Sequence, residues 1–306
     1  MDLTDAVTLR QLRAYAALIE GGTFAAAAER LGVTPPAISA QLRGLEGLVG
    51  APLVSRSDGP PKPTAEGREL LDAMRQIDSL LGRAMHRVEA LRAGHTGRVE
   101  LGVVSTGKYF APALVALTRK ALPDIEIGMT VGNRAQITAA VADRAVDLAI
   151  MGRPPRLPPV EAHRLGEHPH LFIASPAHPL AQKAKLDPLE LFEETILLRE
   201  QGSGTRILAE RFLDAAGEGR TFQSLEFDSN ETIKQAVIAG LGIAFLSVHT
   251  IDAELETGRL AVLKVEGTPI VRAWFAVYLR AEPLSACAKQ FLDFLLGLHG
   301  SFLPQT

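Results

Sequence analysis

Residues 24–54 read FAAAAERLGVTPPAISAQLRGLEGLVGAPLV, and this run decides the architecture of the amino-terminal end. Phe24, Ala27, Ala28 and Leu31 fall at i, i+3, i+4 and i+7, the spacing of one buried helical face. Gly32 predicts the end of that helix, since a residue without Cβ enters positive φ without a clash. Thr34 then stands where an N-cap belongs, with Pro35 at the first helical position, where a missing N–H costs nothing. Ile38, Leu42, Leu45 and Val49 mark the inward stripe of a second helix. Two amphipathic helices across a short glycine-containing turn predict a helix-turn-helix, although plain helical hairpins share the pattern. At about 100° per residue, Pro36, Ser39, Ala40 and Arg43 point away from that stripe. Such a face fits a major groove: Arg43 can grip a guanine or a phosphate, Ser39 can bond either, and the Ala40 methyl can touch a thymine methyl. An ordinary solvated helix face has the same composition.

Further along, the turn-rich segment from Arg56 to Pro63 carries two cations, Arg56 and Lys62. It reads as a wing against the DNA backbone, or equally as a bland surface loop. From Leu70 the period changes: Leu70, Met74, Ile77, Leu81, Ala84, Val88 and Leu91 alternate steps of four and three. That 3.5-residue repeat predicts a coiled-coil seam, capped by Thr64 and ended by Gly94 and Gly97. A helix with so narrow an apolar stripe needs a partner, either a second copy or its own chain.

After Arg98 strands and helices alternate. Strands are predicted at 99–104, 125–131, 148–151, 171–174, 195–198, 224–227, 243–246 and 274–279. Helices are predicted at 109–121, 134–142, 207–216, 232–239 and 285–298. Repeated βαβ units imply a mostly parallel sheet with helices on both faces, and more than 200 residues of it imply two α/β lobes. Three strand-to-helix turns carry polar groups: Ser105, Thr106 and Lys108; Ser203, Thr205 and Arg206; Asn230 and Glu231. Helix starts of this kind favour anions, and such turns converge at the cleft of an open α/β fold. The bland readings are helix caps, including an Asp228-x-x-Glu231 capping box.

Other chemistries are disfavoured. Gly102-x-x-x-x-Gly107-Lys108 nearly matches a phosphate-binding loop, but Tyr109 stands where magnesium needs a hydroxyl residue. No Gly-x-Ser-x-Gly elbow, triad or acid–base pair assembles, so no catalytic residue is expected. His163, His168, His170 and His178 repeat no metal-ligand spacing; a surface or satisfied-core role is expected, with no metal and no cofactor. With 47% apolar and 22% charged residues the chain can bury a large core. One cysteine, Cys287, excludes an internal disulfide and fits a reducing cytoplasm. No apolar stretch approaches the roughly 20 residues of a membrane span, and Asp2 and Asp5 do not suit a signal peptide. Net charge is −3, and residues 1–94 balance 11 Lys and Arg against 11 Asp and Glu. DNA contact must therefore come from a local basic surface rather than a strongly basic domain.

The residues from Phe24 to Val54, the helix start Thr64-Ala65-Glu66-Gly67 and the two-lobed body together resemble the LysR-type transcriptional regulators, over essentially the whole chain. Several segments are similar to the subgroup that controls the RuBisCO (Calvin-cycle) operon: VVSTGKYFAP, VGNR, IMGRPP, RE-x-GSGTR, SNETIKQAVIAGLGIAFLSVHT and PIVRAW. The resemblance implies a winged helix-turn-helix over residues 1–64 and a dimerising linker helix over 65–94. It implies a periplasmic-binding-protein-like effector domain of two Rossmann-like α/β subdomains over 95–306. The second lobe, about 167–267, would be inserted into the first, about 95–166 and 268–306. DNA contacts then fall to Thr34, Pro35, Pro36, Ser39, Ala40, Arg43, Arg56 and Lys62. Asn133, Arg134 and Arg153 in the matching segments join the polar turns as effector residues. The implied effector is a phosphorylated metabolite or NADPH. The implied partners are double-stranded operator DNA, a homodimer and homotetramer built as a dimer of dimers, and RNA polymerase, with no membrane.

The chain departs from the pattern at Pro35, where many relatives have Gln, and at Ala40, where they have Arg or a larger residue. Shape and bending then carry more of the DNA reading than base contacts. Regulators of other one-carbon or central-carbon operons sensing a small organic anion remain the alternative. A small-molecule binding protein without DNA function and an α/β enzyme are the rival classes.

Overall fold

The computed structural model describes residues 6–55, 59–92 and 97–304; Arg56, Gly94 and the side chain of Leu91 lie outside the described residues. The chain divides into two compact units, residues 1–85 and 86–306.

The first unit holds α1 (Leu9–Gly21), α2 (Phe24–Leu31), α3 (Pro35–Val49) and the beginning of α4 (Ala65–Arg92). Tyr15, Leu18, Ala27, Ile38, Leu45, Leu53 and Met74 form its core. Thr23 caps α2 by accepting the Ala26 N–H, and Gly32 closes it at positive φ. Thr34 takes the cap position of α3 but makes no side-chain cap bond. Two prolines follow it, and the first N–H after them, that of Ala37, goes to the Thr34 carbonyl at 2.9 Å. Among its described residues the wing shows one antiparallel bridge, Val54 opposite Pro63. Ser55 N–H donates to the Lys62 carbonyl and Thr64 N–H to the Leu53 carbonyl, so Pro63 sits at a non-bonded pair and its missing N–H costs no ladder bond.

Thr64 caps α4, accepting the Gly67 N–H at 3.0 Å. At Gly67 a Cβ would stand 2.2 Å from the Leu53 carbonyl oxygen and 2.4 Å from the Tyr15 hydroxyl, so only glycine lets this helix touch the rest of the unit. The seam expected along α4 is divided. Leu70, Met74 and Ile77 pack into the unit's own core, which is why that unit runs to residue 85 rather than stopping at 64. Leu81, Ala84 and Val88 are exposed.

The second unit contains β1 (Gly97–Val104), α5 (Ala111–Ala121), β2 (Ile125–Gly132), α6 (Arg134–Ala142), β3 (Leu148–Met151) and β4 (Val160–Ala174). There follow β5 (Thr195–Arg199), α7 (Gly204–Gly217), β6 (Gln223–Phe227), α8 (Asn230–Ile238), β7 (Ile243–Ser247) and α9 (Asp252–Glu256). Last come β8 (Ala261–Leu263), β9 (Ile270–Leu279) and α10 (Ala286–Gly297). The described strands form one hydrogen-bonded path, β2-β1-β3-β9-β4-β7-β5-β6, with β8 on β4. One expectation needs correction: the sheet is mixed rather than mostly parallel, because β1 pairs β2 and β3 in parallel, whereas β4 and β9 run antiparallel to each other from Val160 opposite Leu279 to His170 opposite Ile270.

Two lobes persist in the packing. One core gathers Val99–Leu165 residues with Trp274, Phe291 and Leu295. On the other half of the sheet, Phe172, Leu198 and Leu213 cluster on one face and Ile233, Val237 and Leu246 on the opposite face. β4 and β9 are the continuous pair through both halves. The sequence hides the first half of β4 because Val160–Pro169 contains three charged residues, two histidines, a glycine and a proline, with no clean period.

Candidate functional site: an exposed helix face and an arginine-lined cleft

In the first unit the outward face of α3 is as the helical wheel places it. Pro36, Ala40 and Arg43 are exposed, Ser39 half-buried, and Ile38, Leu42 and Leu45 buried. Arg43 Nη1 donates to Ser39 Oγ at 3.0 Å, one turn back, which holds the guanidinium along the helix surface. Thr34, Pro35 and Lys62 are exposed. Small residues around one cation leave backbone and side chain free to approach a groove edge.

In the second unit a cavity of about 810 Å³ opens between the two halves of the sheet. Six of the sequence-assigned effector residues line it: Ser105, Thr106, Arg134, Arg153, Ser203 and Thr205. α7 begins there, and its cap residue Ser203 makes no side-chain cap bond, so the first-turn N–H groups keep their capacity to bind an anion. Four arginines in the wall, Arg134, Arg153, Arg211 and Arg272, make no salt bridge among the described residues; a fifth, Arg164, has only a 4.0 Å contact to exposed Glu167. No carboxylate is among the described residues that line the cavity. Burial, and then the neighbouring Arg153, hold the Arg134 guanidinium below its ordinary pKa.

The other expected effector residues lie outside this wall, and two of them, Asn133 and Glu231, make contacts between the lobes. Asn133 caps α6 and donates from Nδ2 to Glu200 Oε1 at 3.2 Å. Asn230 accepts from Arg199, which is 2% exposed, grips Glu200 with Nε and Nη2 at 2.7 and 2.9 Å, and donates from Nη2 to Ser105 Oγ at 3.1 Å. Glu231 accepts from the Tyr109 hydroxyl and pairs with Lys234, which also reaches Glu254 at 2.9 Å. Burial first, then that carboxylate, push the Tyr109 phenol well above its usual range. The cap of α8 is Ser229 rather than Asp228, so Glu231 is not part of the predicted capping box. Lys108 lies 5.2 Å from the centre of the Tyr109 ring. Arg206 is turned away from the cleft because Glu210, one turn ahead, and Glu226 on β6 both hold it.

Sequence reasoning missed Arg164, His168, His170, Arg211 and Arg272 as cleft residues. Arg272 sits in the quoted PIVRAW segment, so a signal existed; Arg164, His168 and His170 gave none before β4 and β9 were paired, and Arg211 enters the wall from the second turn of α7. His168 and His170 are buried, as a core role requires, yet they also face the cavity. His168 stacks on Trp274 at 3.8 Å, and Trp274 Nε1 donates to His249 Nδ1 at 3.1 Å. Burial lowers His170 and His249 to about 4, and burial with its two histidine neighbours takes His168 well below its ordinary value.

A helix-turn-helix unit followed by a two-lobed α/β unit with an arginine-lined cleft is the build of a DNA-binding regulator of transcription, and comparison with known proteins agrees. Residues 9–68 match the family model of bacterial regulatory helix-turn-helix proteins of the lysR family, and residues 92–299 match the LysR substrate binding domain. The chain belongs to the LysR family. It is 47% identical over 302 residues to the HTH-type transcriptional regulator CbbR of Cereibacter sphaeroides, covering 98% of this chain and 97% of that protein. With CbbR of Xanthobacter flavus it shares 46% identity, over 97% and 90% of the two chains. The regulatory domain of Synechocystis PCC6803 CcmR, solved in complex with 2-PG, is 33% identical with a TM-score of 0.63, covering 66% of this chain and 97% of that one. Full-length CbnR complexed with its target DNA shares the fold at 19% identity and a TM-score of 0.69, over 95% and 99% of the two chains. The family and these relatives are regulators of transcription, not enzymes. No described helix is long and apolar enough to cross a membrane.

Proposed function

We propose that this protein regulates a RuBisCO (carbon-fixation) operon in the cytoplasm and that a phosphorylated metabolite or NADPH sets its activity by binding in the arginine-lined cleft. The observation that carries the effector reading is the wall of arginines without carboxylates. Guanidinium forks and α7's first-turn N–H groups suit phosphoryl oxygens, and no carboxylate is among the described residues that line the cleft. The operon reading rests on the two CbbR relatives and on the CfxR protein of Cupriavidus necator, 39% identical over 298 residues. That the CcmR domain was solved with 2-PG supports a small-anion ligand for the same fold.

On this reading α3 enters the major groove, with Arg43 on a guanine or phosphate and Lys62 on the backbone. The exposed Leu81, Ala84 and Val88 of α4 meet a second copy, giving the dimer from which a tetramer is built. Ligand binding acts only through different affinities for two lobe arrangements, which shift the tetramer between DNA-bound states read by RNA polymerase.

A gel shift with DNA from upstream of a RuBisCO operon tests this, titrated with 2-PG, sugar phosphates and NADPH. A shift that outlasts competitor DNA and changes with one of these compounds is the expected result. Binding no tighter than to random DNA overturns the operator assignment, and indifference to every compound overturns the effector assignment. A small organic dicarboxylate is the second reading, since arginine forks accept carboxylates equally well.

A further inference from the structure

One polar atom in the wall of the cleft is left over. His168 is 3% exposed, and its Nε2 lies 2.9 Å from Ser247 Oγ; its Nδ1 is buried and has no hydrogen-bond partner among the described residues. An unpartnered buried nitrogen costs free energy unless something outside the chain meets it. Gly152 faces this atom across the cleft wall. A Cβ built there would stand 2.9 Å from His168 Nδ1 and 3.2 Å from its Cε1, so any side chain at this position would crowd the approach to that nitrogen. Gly152 does not need to be glycine for its backbone, because it is not among the residues at positive φ.

The surroundings decide what His168 can offer. Its ring stacks on Trp274, its neighbours are His170 at 4.1 Å and His249 at 5.8 Å between ring centres, and Arg272 is its cross-strand partner on β9. Burial first, and then the neighbouring His170 and His249, keep the imidazole neutral, with a single N–H. Ser247 carries a rotating hydroxyl, which can accept from Nε2 or donate to it. When it donates, the imidazole proton sits on Nδ1 and points at the place Gly152 leaves open.

We propose that His168 Nδ1 is a specificity-determining donor to an anionic oxygen of the bound effector, admitted by the absence of a side chain at Gly152. The arginines supply charge from several directions, and this uncharged donor fixes where one oxygen must lie. The tautomer follows the ligand: an anionic oxygen at the Gly152 place selects Nδ1–H, and Ser247 turns to donate to Nε2. The inference deepens the effector reading of the same cleft and rests on it.

Calorimetry of the full chain with 2-PG, and separately with inorganic phosphate, tests it in four variants. His168→Gln keeps an amide near the Nε2 position but nothing at Nδ1, whereas His168→Asn places its amide near Nδ1. Gly152→Ala crowds the approach to Nδ1 and leaves the histidine in place, and His163→Gln removes a half-buried imidazole, itself with an unpartnered Nε2, that does not line the cleft. A hydrogen bond to a charged group predicts that H168Q and G152A weaken 2-PG binding about tenfold to a hundredfold. H168N regains most of that loss, H163Q binds as the wild type, and all four still shift operator DNA. Wild-type affinity in H168Q and G152A overturns the proposal alone, leaving Nδ1 to an ordered water. Equal losses in H168N and H168Q also overturn it, because they show a packing role only. No binding of either anion by the wild type overturns both this proposal and the effector reading. If G152A does not fold, the H168N and H168Q pair still decides.

Discussion

Arginine does two opposite things in the two-lobed unit. Arg199 and Arg206 are saturated: Arg199 by Glu200, Asn230 and Ser105, and Arg206 by Glu210, Glu226 and the Arg199 carbonyl. Arg134, Arg153, Arg211 and Arg272 stand without a carboxylate partner among the described residues, around one cavity. In the first set the protein provides the counter-charge and the arginine becomes part of the framework. In the second the counter-charge must arrive from outside, so the same side chain becomes a receptor. Partner count, rather than residue type, separates the two roles.

Several measurements would break or sharpen that contrast. The largest effect is expected at Arg199→Ala, which strands the Glu200 carboxylate and breaks the bond to Ser105 in the other lobe. Removing one member of a buried pair costs about 3–5 kcal/mol, and denaturant unfolding at pH 7 would read it. A change below 1 kcal/mol would show that Arg199 is not framework at all. Next comes pH. His170 and His249 carry pKa values of about 4 in the folded chain against 6.5 when free, so the unfolded chain binds more protons between those values. Their contribution to stability is therefore complete above pH 6.5 and is lost as pH falls towards 4, at up to about 1.4 kcal/mol per unit for each histidine. Unfolding curves at pH 7, 6 and 5 check this, with His170→Gln expected to flatten the slope.

Arg134→Ala tests the receptor set. Effector affinity should fall about tenfold to a hundredfold while stability holds or rises, because a partly buried cation already held below its ordinary pKa is being removed. Calorimetry beside a melting curve separates the two, and equal losses in both would place Arg134 in the framework. The smallest effect belongs to the exposed helix face: Arg43→Ala should weaken operator binding and lower the salt slope of log K by about 1 if its contact is a phosphate. An unchanged slope with relaxed base preference would move Arg43 to a base edge.

The helices of the first unit were legible because local rules suffice there: apolar spacing, Gly32 and Pro35 place α2 and α3 almost residue for residue. The half of the cleft that reading found, Ser105, Arg134, Ser203 and Thr205 among it, lies at strand-to-helix turns, where backbone geometry alone offers N–H groups to an anion. Arg206 misled because its carboxylate partners Glu210 and Glu226 come from one turn ahead and from another strand. A motif shows that a cation is present but not who already holds it.

Sequence by itself determined α2 and α3 of the head, the position of its outward face, and the polar turns that open the α/β helices, since all of these depend on neighbours within a few residues. Only the tertiary structure decided that β4 and β9 form one continuous antiparallel pair, that the front of α4 belongs to the head's own core, and which arginines remain unpaired. Those outcomes depend on residues up to about a hundred positions apart meeting in space, as Arg199 meets Ser105 and His168 meets Arg272. Electrostatic balance and burial are set by such meetings, and a linear string does not record them.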